Sequence, residues 1–320
     1  MIIPLTSLRG FAAFAVLGFH FSPLLGGIPI FNRGFLGVDL FFLLSGFILA
    51  KVYDKRLDVP SYFVARIART YPLHLFALLL LLPALGRGDA YSVRSLLCNL
   101  AMTQVVCGGP MSWNSVSWSL SAEWISYLLF PILLRPVLRC PRWATAILIL
   151  CCAAILASVS PITADDNYRL PALGRSLPEF LTGMVLYRLY NDKWLAHWGY
   201  FAGAVVMAAL AFATHAPDIL ILTAFAAIIL SSPYAKLMEY RVFSFMGDIS
   251  YSLYMFQLLT ADVLGAALLA TGIRSGLAIA ITGMGASILV ATVTHRYVEV
   301  PARTRVRQWM APRMVRQGTA

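Results

Sequence analysis

The sequence predicts an all-α membrane protein: a polytopic bundle of about ten transmembrane helices with both termini cytoplasmic. Three observations predict it. Of 320 residues, 60% are hydrophobic and 12% charged, with a mean hydropathy of +0.77, whereas a soluble domain is about a quarter charged. Apolar runs approaching the roughly 20 residues that a spanning helix needs recur along the whole chain. The basic residues, which leave a net charge of +11, crowd into alternate loops, as the positive-inside rule requires.

Taken in order, the apolar runs read as helices near 5–25, 35–51, 71–85, 119–135, 143–159, 176–190, 197–214, 218–231, 242–262 and 275–294. The first, LTSLRGFAAFAVLGFHF, has no basic leader and no A-x-A-like site behind it, so it is expected to stay as a membrane helix. It carries Arg9 and His20 eleven positions apart, almost three turns, on one helix face and roughly 16 Å apart along the axis. The second run holds Asp39 near its start. Ahead of the third lies a basic stretch, 51–70, in which SYFVARIARTYP sets Arg66 and Arg69 three apart and on one face if helical. LLCNLAMTQVV (96–106) is too short to span and reads as a re-entrant or surface segment. The fourth, sixth and ninth runs carry Glu123, Glu179 and Gln257. Residues 1–300 read as one transmembrane domain, and 301–320 as a basic cytoplasmic tail resting on anionic headgroups. No internal repeat supports an inverted-repeat transporter.

With the N-terminus inside, most of the 25 basic residues face the cytoplasm, and the outward loops hold only Arg33, Arg87, Arg94, Arg169, Arg175 and Arg274. Topology therefore explains the charge, and no nucleic-acid partner is implied. It also sets His20, Asp39, Glu123, Glu179 and Gln257 near one outer level on five helices. Ionisable groups are costly inside a bilayer and face a cavity or one another, so this layer marks a site. Arg66 and Arg69 at the opposite surface suit bidentate phosphate recognition, although an ordinary cytoplasmic anchor looks the same. The five cysteines show no metal-ligand spacing with histidines, and no metal is expected. Cys98 and Cys107 could pair in an oxidising compartment, with buried free thiols the plainer reading.

Beyond these features, the chain resembles the acyltransferase-3 family of integral-membrane O-acyltransferases. The resemblance rests on Arg9 to His20 in the first helix, GVDLFFLLSGF (37–47), RIARTYP (66–72), WSLSAEW (118–124), RSLPEFLTG (175–183), GDISYSLYMFQ (247–257) and YVEVPAR (297–303). Seven elements in order along ten predicted helices are specific, although the first and last are short. One position departs: the family often has histidine where this chain has Gln257, which can donate and accept hydrogen bonds but cannot change charge near neutral pH.

The resemblance implies acyl transfer across a bacterial inner membrane. Acetyl-CoA or another acyl-CoA would be the cytoplasmic donor, and a hydroxyl of an exported or cell-envelope carbohydrate or glycolipid the acceptor. In that scheme His20 is the general base toward the hydroxyl, a role suited to a side chain with an ordinary pKa near 6.5. Asp39 is its expected orienting partner. Arg9, Arg66 and Arg69 are expected to bind the coenzyme. Glu123, Arg175, Glu179, Gln257 and Trp118 are expected to meet the acceptor, with Glu179 alternatively paired to Arg175 and Trp118 alternatively part of an interfacial aromatic belt. Ser45 reads as a helix-to-helix hydrogen bond. A proton-coupled transporter using His20, Asp39 and Glu123 as a relay explains the buried charges equally well, but not the arginine pair or the ordered motifs.

Overall fold

Caps and prolines set helix ends that the apolar runs only approximate. The clearest case is the third helix, α3 (Val59–Leu81), which follows α1 (Ile3–Phe21) and α2 (Gly37–Tyr53). Asp58 accepts from the amide of Ser61 at 3.0 Å and a proline occupies the first turn, so α3 begins well before the apolar run at 71–85. The basic stretch carrying Arg66 and Arg69 is thus part of a membrane helix and not a surface loop. In this computed structural model the described residues are 3–107, 112–159, 170–193, 197–214, 216–272 and 274–317. Arg169 and the end of the basic tail lie outside them.

The segment LLCNLAMTQVV does not span: it forms α4 (Val93–Leu100) and a separate turn, Gln104–Cys107. Met102 takes a left-handed φ of 53° and Thr103 turns its amide back onto the Cys98 carbonyl at 2.8 Å. That reversal brings the Cα atoms of Cys98 and Cys107 to 6.3 Å, and the two are disulfide-bonded, which overturns the free-thiol reading. Then follow α5 (Trp118–Arg139), α6 (Arg142–Ser158), α7 (Leu170–Asn191), α8 (Trp198–Ala213), α9 (Asp218–Ser231), α10 (Arg241–Ala270), α11 (Gly276–Thr294) and, after a π-helical turn at His295–Glu299, α12 (Val300–Gln317). Each predicted apolar run is helical. Among the described residues, six helices are long and apolar enough to cross a membrane, and α6, α8 and α9 are shorter apolar helices.

The core is a set of close helix pairs. Helices α1 and α10 run parallel, with Gly10 against Met246 and Gly247, and Gly247 against the Thr6 carbonyl. Helix α2 runs antiparallel to α1 and parallel to α7. At the α2–α7 crossing any side chain on Gly46 would overlap the Phe180 carbonyl, and any on Gly183 the Leu43 carbonyl. Small residues that admit such backbone approach are how helices pack where the surrounding solvent is itself apolar. Gly46→Leu is therefore expected to destabilise the protein by about 3 kcal/mol, read as a lower melting temperature in detergent. An unchanged melting temperature would mean the two helices do not meet this closely.

Candidate active site

The site is built from α1, α2, α3, α5, α7 and α10, and it has two ends. At one end three guanidinium groups converge. Arg9 sits with its Cζ 5.7 Å from the Phe41 ring centroid and lies within electrostatic reach of Arg66, Arg69 and Glu123. Arg66 projects from α3 between two tyrosines, 5.6 Å from the Tyr127 ring centroid and 6.0 Å from that of Tyr62. Arg69 pairs with Glu299 at 3.6 Å, and Arg303 approaches the same carboxylate at 3.8 Å. Glu299 is also held by His295 at 3.1 Å and by the Ser252 hydroxyl at 2.8 Å. The π-helical turn at His295–Glu299 aims it there, a local irregularity common at functional sites.

Glu123 faces this cluster from α5. The Ser45 hydroxyl donates to its carboxylate, and Tyr127, one turn along, is a second hydrogen-bonding neighbour. Ser45 thus makes the expected helix-to-helix bond, with Glu123 as its partner. Arg9, Arg66, Arg69 and Arg303 outnumber the two carboxylates of Glu123 and Glu299, so the cluster carries an excess of positive charge. The Nε atoms of Arg9 and Arg66 are buried and have no hydrogen-bond partner among the described residues. Buried donors are nearly always satisfied in a folded protein, so donors left open beside an excess of positive charge fit an anionic ligand.

A narrow cavity of about 40 Å³ runs from Arg9 and Glu123 between Val38, Phe41, Phe42, Leu120, Tyr251 and Tyr254. Its width admits a few water molecules or a thin chain. A larger apolar groove of about 530 Å³, lined by Phe11, Phe14, Phe201 and Phe225 among others, opens on another face of α1 and has no titratable side chain in its lining.

The other end holds His20. Its side-chain neighbour is Gln257 of α10, and the His20 Nδ1 and Gln257 Oε1 are both buried without hydrogen-bond partners among the described residues. Asp39 does not join them, which corrects the expected pairing with His20. Gly37 packs on the Ala12 carbonyl, eight residues or about 12 Å short of His20 along α1, so the start of α2 lies deeper than topology alone suggested. The Asp39 carboxylate is instead gripped bidentately along one edge of a guanidinium: Arg175 Nε donates to Oδ1 at 2.5 Å and a terminal nitrogen donates to Oδ2. Glu179, one turn along α7 and fully buried, lies against Asp39 and Arg175. Trp118 is 6% exposed and lies under Arg175, whose Cζ is 5.6 Å from the ring centroid, so it forms neither an interfacial belt nor an open stacking platform.

Tyr127, Tyr251 and Tyr254 were not singled out in the sequence, yet Tyr251 and Tyr254 line the cavity and Tyr127 neighbours Arg66 and Glu123. Their signal was the spacing: Tyr251, Tyr254 and Gln257 fall three apart and form one stripe of α10.

A family model described as an acyltransferase domain matches residues 4–296, nearly the whole chain. The chain belongs to this acyltransferase-3 family. Over 214 residues it is 33% identical to the acyltransferase MdmB of Streptomyces mycarofaciens, a match covering 61% of this chain and 52% of that one. It thus spans about half the length of that relative. A provisionally named acetyltransferase of the Acidianus two-tailed virus is 27% identical over 299 residues, 86% of this chain and 87% of the other. A provisionally named peptidoglycan O-acetyltransferase of Bacillus subtilis is 28% identical over 192 residues, 52% of this chain and 30% of that one. No solved structure matches the chain. This acyltransferase-family chain is an integral membrane protein.

The Asp39–Arg175 pair makes a direct test of what is structural in the site. Removing one partner of a buried ion pair strands the other charge. Asp39→Ala in this acyltransferase is therefore expected to cost about 3–5 kcal/mol of stability, with Arg175→Leu recovering most of it. Thermal unfolding of the single and double variants measures this. Simple additivity of the two losses would contradict the pairing.

Proposed function

We propose that the enzyme moves an acetyl or other short acyl group from a cytoplasmic acyl-CoA to a hydroxyl of an exported or envelope carbohydrate. One observation carries the proposal: open guanidinium donors at one end of a narrow cavity, and a histidine with an unfilled ring nitrogen about 16 Å away on the same face of α1. The end carrying Arg66 and Arg69 is then cytoplasmic, both termini lie on that side, and the membrane is the bacterial inner membrane.

In this reading Arg66, Arg9 and Arg69 hold the coenzyme's phosphates, and the pantetheine arm follows the cavity toward His20. His20 removes the proton of the acceptor hydroxyl, whose oxygen forms a bond to the acyl carbon. The carbon–sulfur bond of the thioester breaks, and the departing thiolate takes up the proton from the imidazolium. Gln257 orients the imidazole without competing for the proton, since an amide does not titrate. Glu123, whose carboxylate is shared with Ser45 and Tyr127, balances the arginines. The peptidoglycan O-acetyltransferase among the relatives supports a sugar hydroxyl as acceptor.

Purified protein in proteoliposomes, given radiolabelled acetyl-CoA and a panel of polysaccharide precursors, tests this through release of free coenzyme A and transfer of label. His20→Ala is expected to lower kcat by about 10²–10⁴-fold. Arg66→Ala is expected to raise the donor KM about tenfold through the loss of a charge-assisted contact. Undiminished turnover by His20→Ala would refute the assignment, and solute flux coupled to protons without any donor would favour a transporter.

A further inference from the structure

Three side-chain hydrogen bonds tie the non-spanning segment between α3 and α5 to a single turn of α10. Asn114, 1% exposed, donates from Nδ2 to the Met255 carbonyl at 2.8 Å. The Tyr254 hydroxyl donates to the Val116 carbonyl at 3.0 Å and shares a 2.7 Å bond with the Ser119 hydroxyl at the start of α5. This is the turn that carries Gln257, whose Nε2 donates to the Tyr254 carbonyl at 3.4 Å and whose side chain meets His20.

A carbonyl in the middle of a helix is already the acceptor of the amide four residues on. The helix at Met255 therefore gains nothing in backbone satisfaction from Asn114; what the extra bond adds is a fixed height and rotation for that turn. α10 has reason to need it. From Gly247 to Gln257 nearly every residue is buried, whereas from Leu258 onward the helix is half-buried or exposed. Gln257 is thus the last buried residue before a stretch with few neighbours to hold it.

The anchoring segment is itself stiff. The Cys98–Cys107 disulfide closes its first part. Gln104 Nε2 donates to the Ser117 carbonyl at 2.8 Å, the Val105 amide donates to the Ser121 hydroxyl at 3.2 Å, and Trp113 Nε1 donates to the Ser95 hydroxyl at 2.9 Å. On the α3 side the His74 ring nitrogen Nε2 bonds the Asn99 carbonyl at 2.8 Å.

We propose that Asn114 is a positioning residue: through its bond to Met255, residues 112–117, tied by Gln104 and Trp113 to the disulfide-closed loop 98–107 and the adjoining α4, set the Gln257 amide, and so the His20 ring, in place for proton transfer. The proposal rests on the reading of His20 as the base. It assigns a role in the reaction to a segment that carries no reacting group. The position of an imidazole in the bundle is decided by a chain of contacts that begins at Asn114, 141 residues from Met255 in sequence and with no place in the helix periodicity.

The test uses the full-length protein in detergent. Diethyl pyrocarbonate modifies accessible, loosely held imidazoles, and peptide mass spectrometry separates His20 from the exposed His197, which serves as the internal reference. Asn114→Leu, matched in size but lacking the donor, and the double variant Cys98→Ser with Cys107→Ser are compared with the wild type. In both, modification of His20 relative to His197 is expected to rise about fivefold, the factor set by one ordinary hydrogen bond. In the acetyl-CoA assay kcat is expected to fall with the donor KM unchanged in protein that keeps the wild-type melting temperature, which separates the effect from a loss of folded enzyme. If Asn114→Leu fails to fold, the cysteine variant still decides the matter. Unchanged His20 reactivity in the variants overturns the positioning role and leaves the base assignment standing. Turnover retained by His20→Ala removes the base assignment itself.

Discussion

Charge cannot be left alone in an apolar bundle, and the Asp39–Arg175 pair is where this constraint governs the most structure. Neither group reaches solvent: Asp39 is 0% and Arg175 3% exposed. Each is therefore committed to the other, which holds the start of α2 against α7. A few turns on, the same two helices meet at Gly46 and Gly183 with almost no space between backbones. Between these two contacts α2 has no freedom to rotate, and it presents Ser45 to Glu123 and Phe41 to Arg9. A polar pair and a pair of missing side chains thus cooperate, one giving direction and the other proximity.

The surroundings of the arginine cluster and of His20 differ in electrostatic character. Around Arg9, Arg66 and Arg69 the charges are numerous and unequal, softened by tyrosine faces and by two carboxylates. Such a cluster is tolerable within a membrane because tyrosine rings and hydroxyls replace part of the lost hydration. Around His20 the neighbour is an amide, and the ring makes no ion pair among the described residues. The separation suits a reaction whose donor is highly charged at one extremity and reactive at the other. In the proposed reaction the charged part would be held where positive charge is concentrated, and the transfer would take place where the imidazole can gain and lose a proton.

Departures from the sequence-based expectations trace to particular residues. The start of α3 was hidden because Arg66 and Arg69 interrupt the apolar run, and hydropathy cannot tell a buried arginine stacked on Tyr62 and Tyr127 from an exposed one. Asp58 and Pro60 did mark the helix start in the sequence, but by capping chemistry and not by periodicity. Depth was misjudged for Asp39 because position within a run says nothing of how far neighbouring helices slide along each other. Trp118 was misplaced because an interfacial tryptophan and one lying under a buried guanidinium have the same local sequence. Glu299 lies four residues before Arg303, a spacing the sequence shows, but its link to Arg69 depends on where α3 passes the π-helical turn.

The sequence by itself determined the helical class, the places where helices occur, the family resemblance and the residue types from which a site could be made. Those follow from periodicity, length and composition, which act within one segment and need no neighbour. Tertiary structure alone decided which of the buried groups are partners. It placed Asp39 with Arg175, Glu123 with Ser45 and His20 with Gln257, and it closed the Cys98–Cys107 bond. The reason is physical: a charge or donor in a low-dielectric interior takes the partner that geometry brings within about 3 Å, and that geometry comes from helix crossings set by small residues far along the chain.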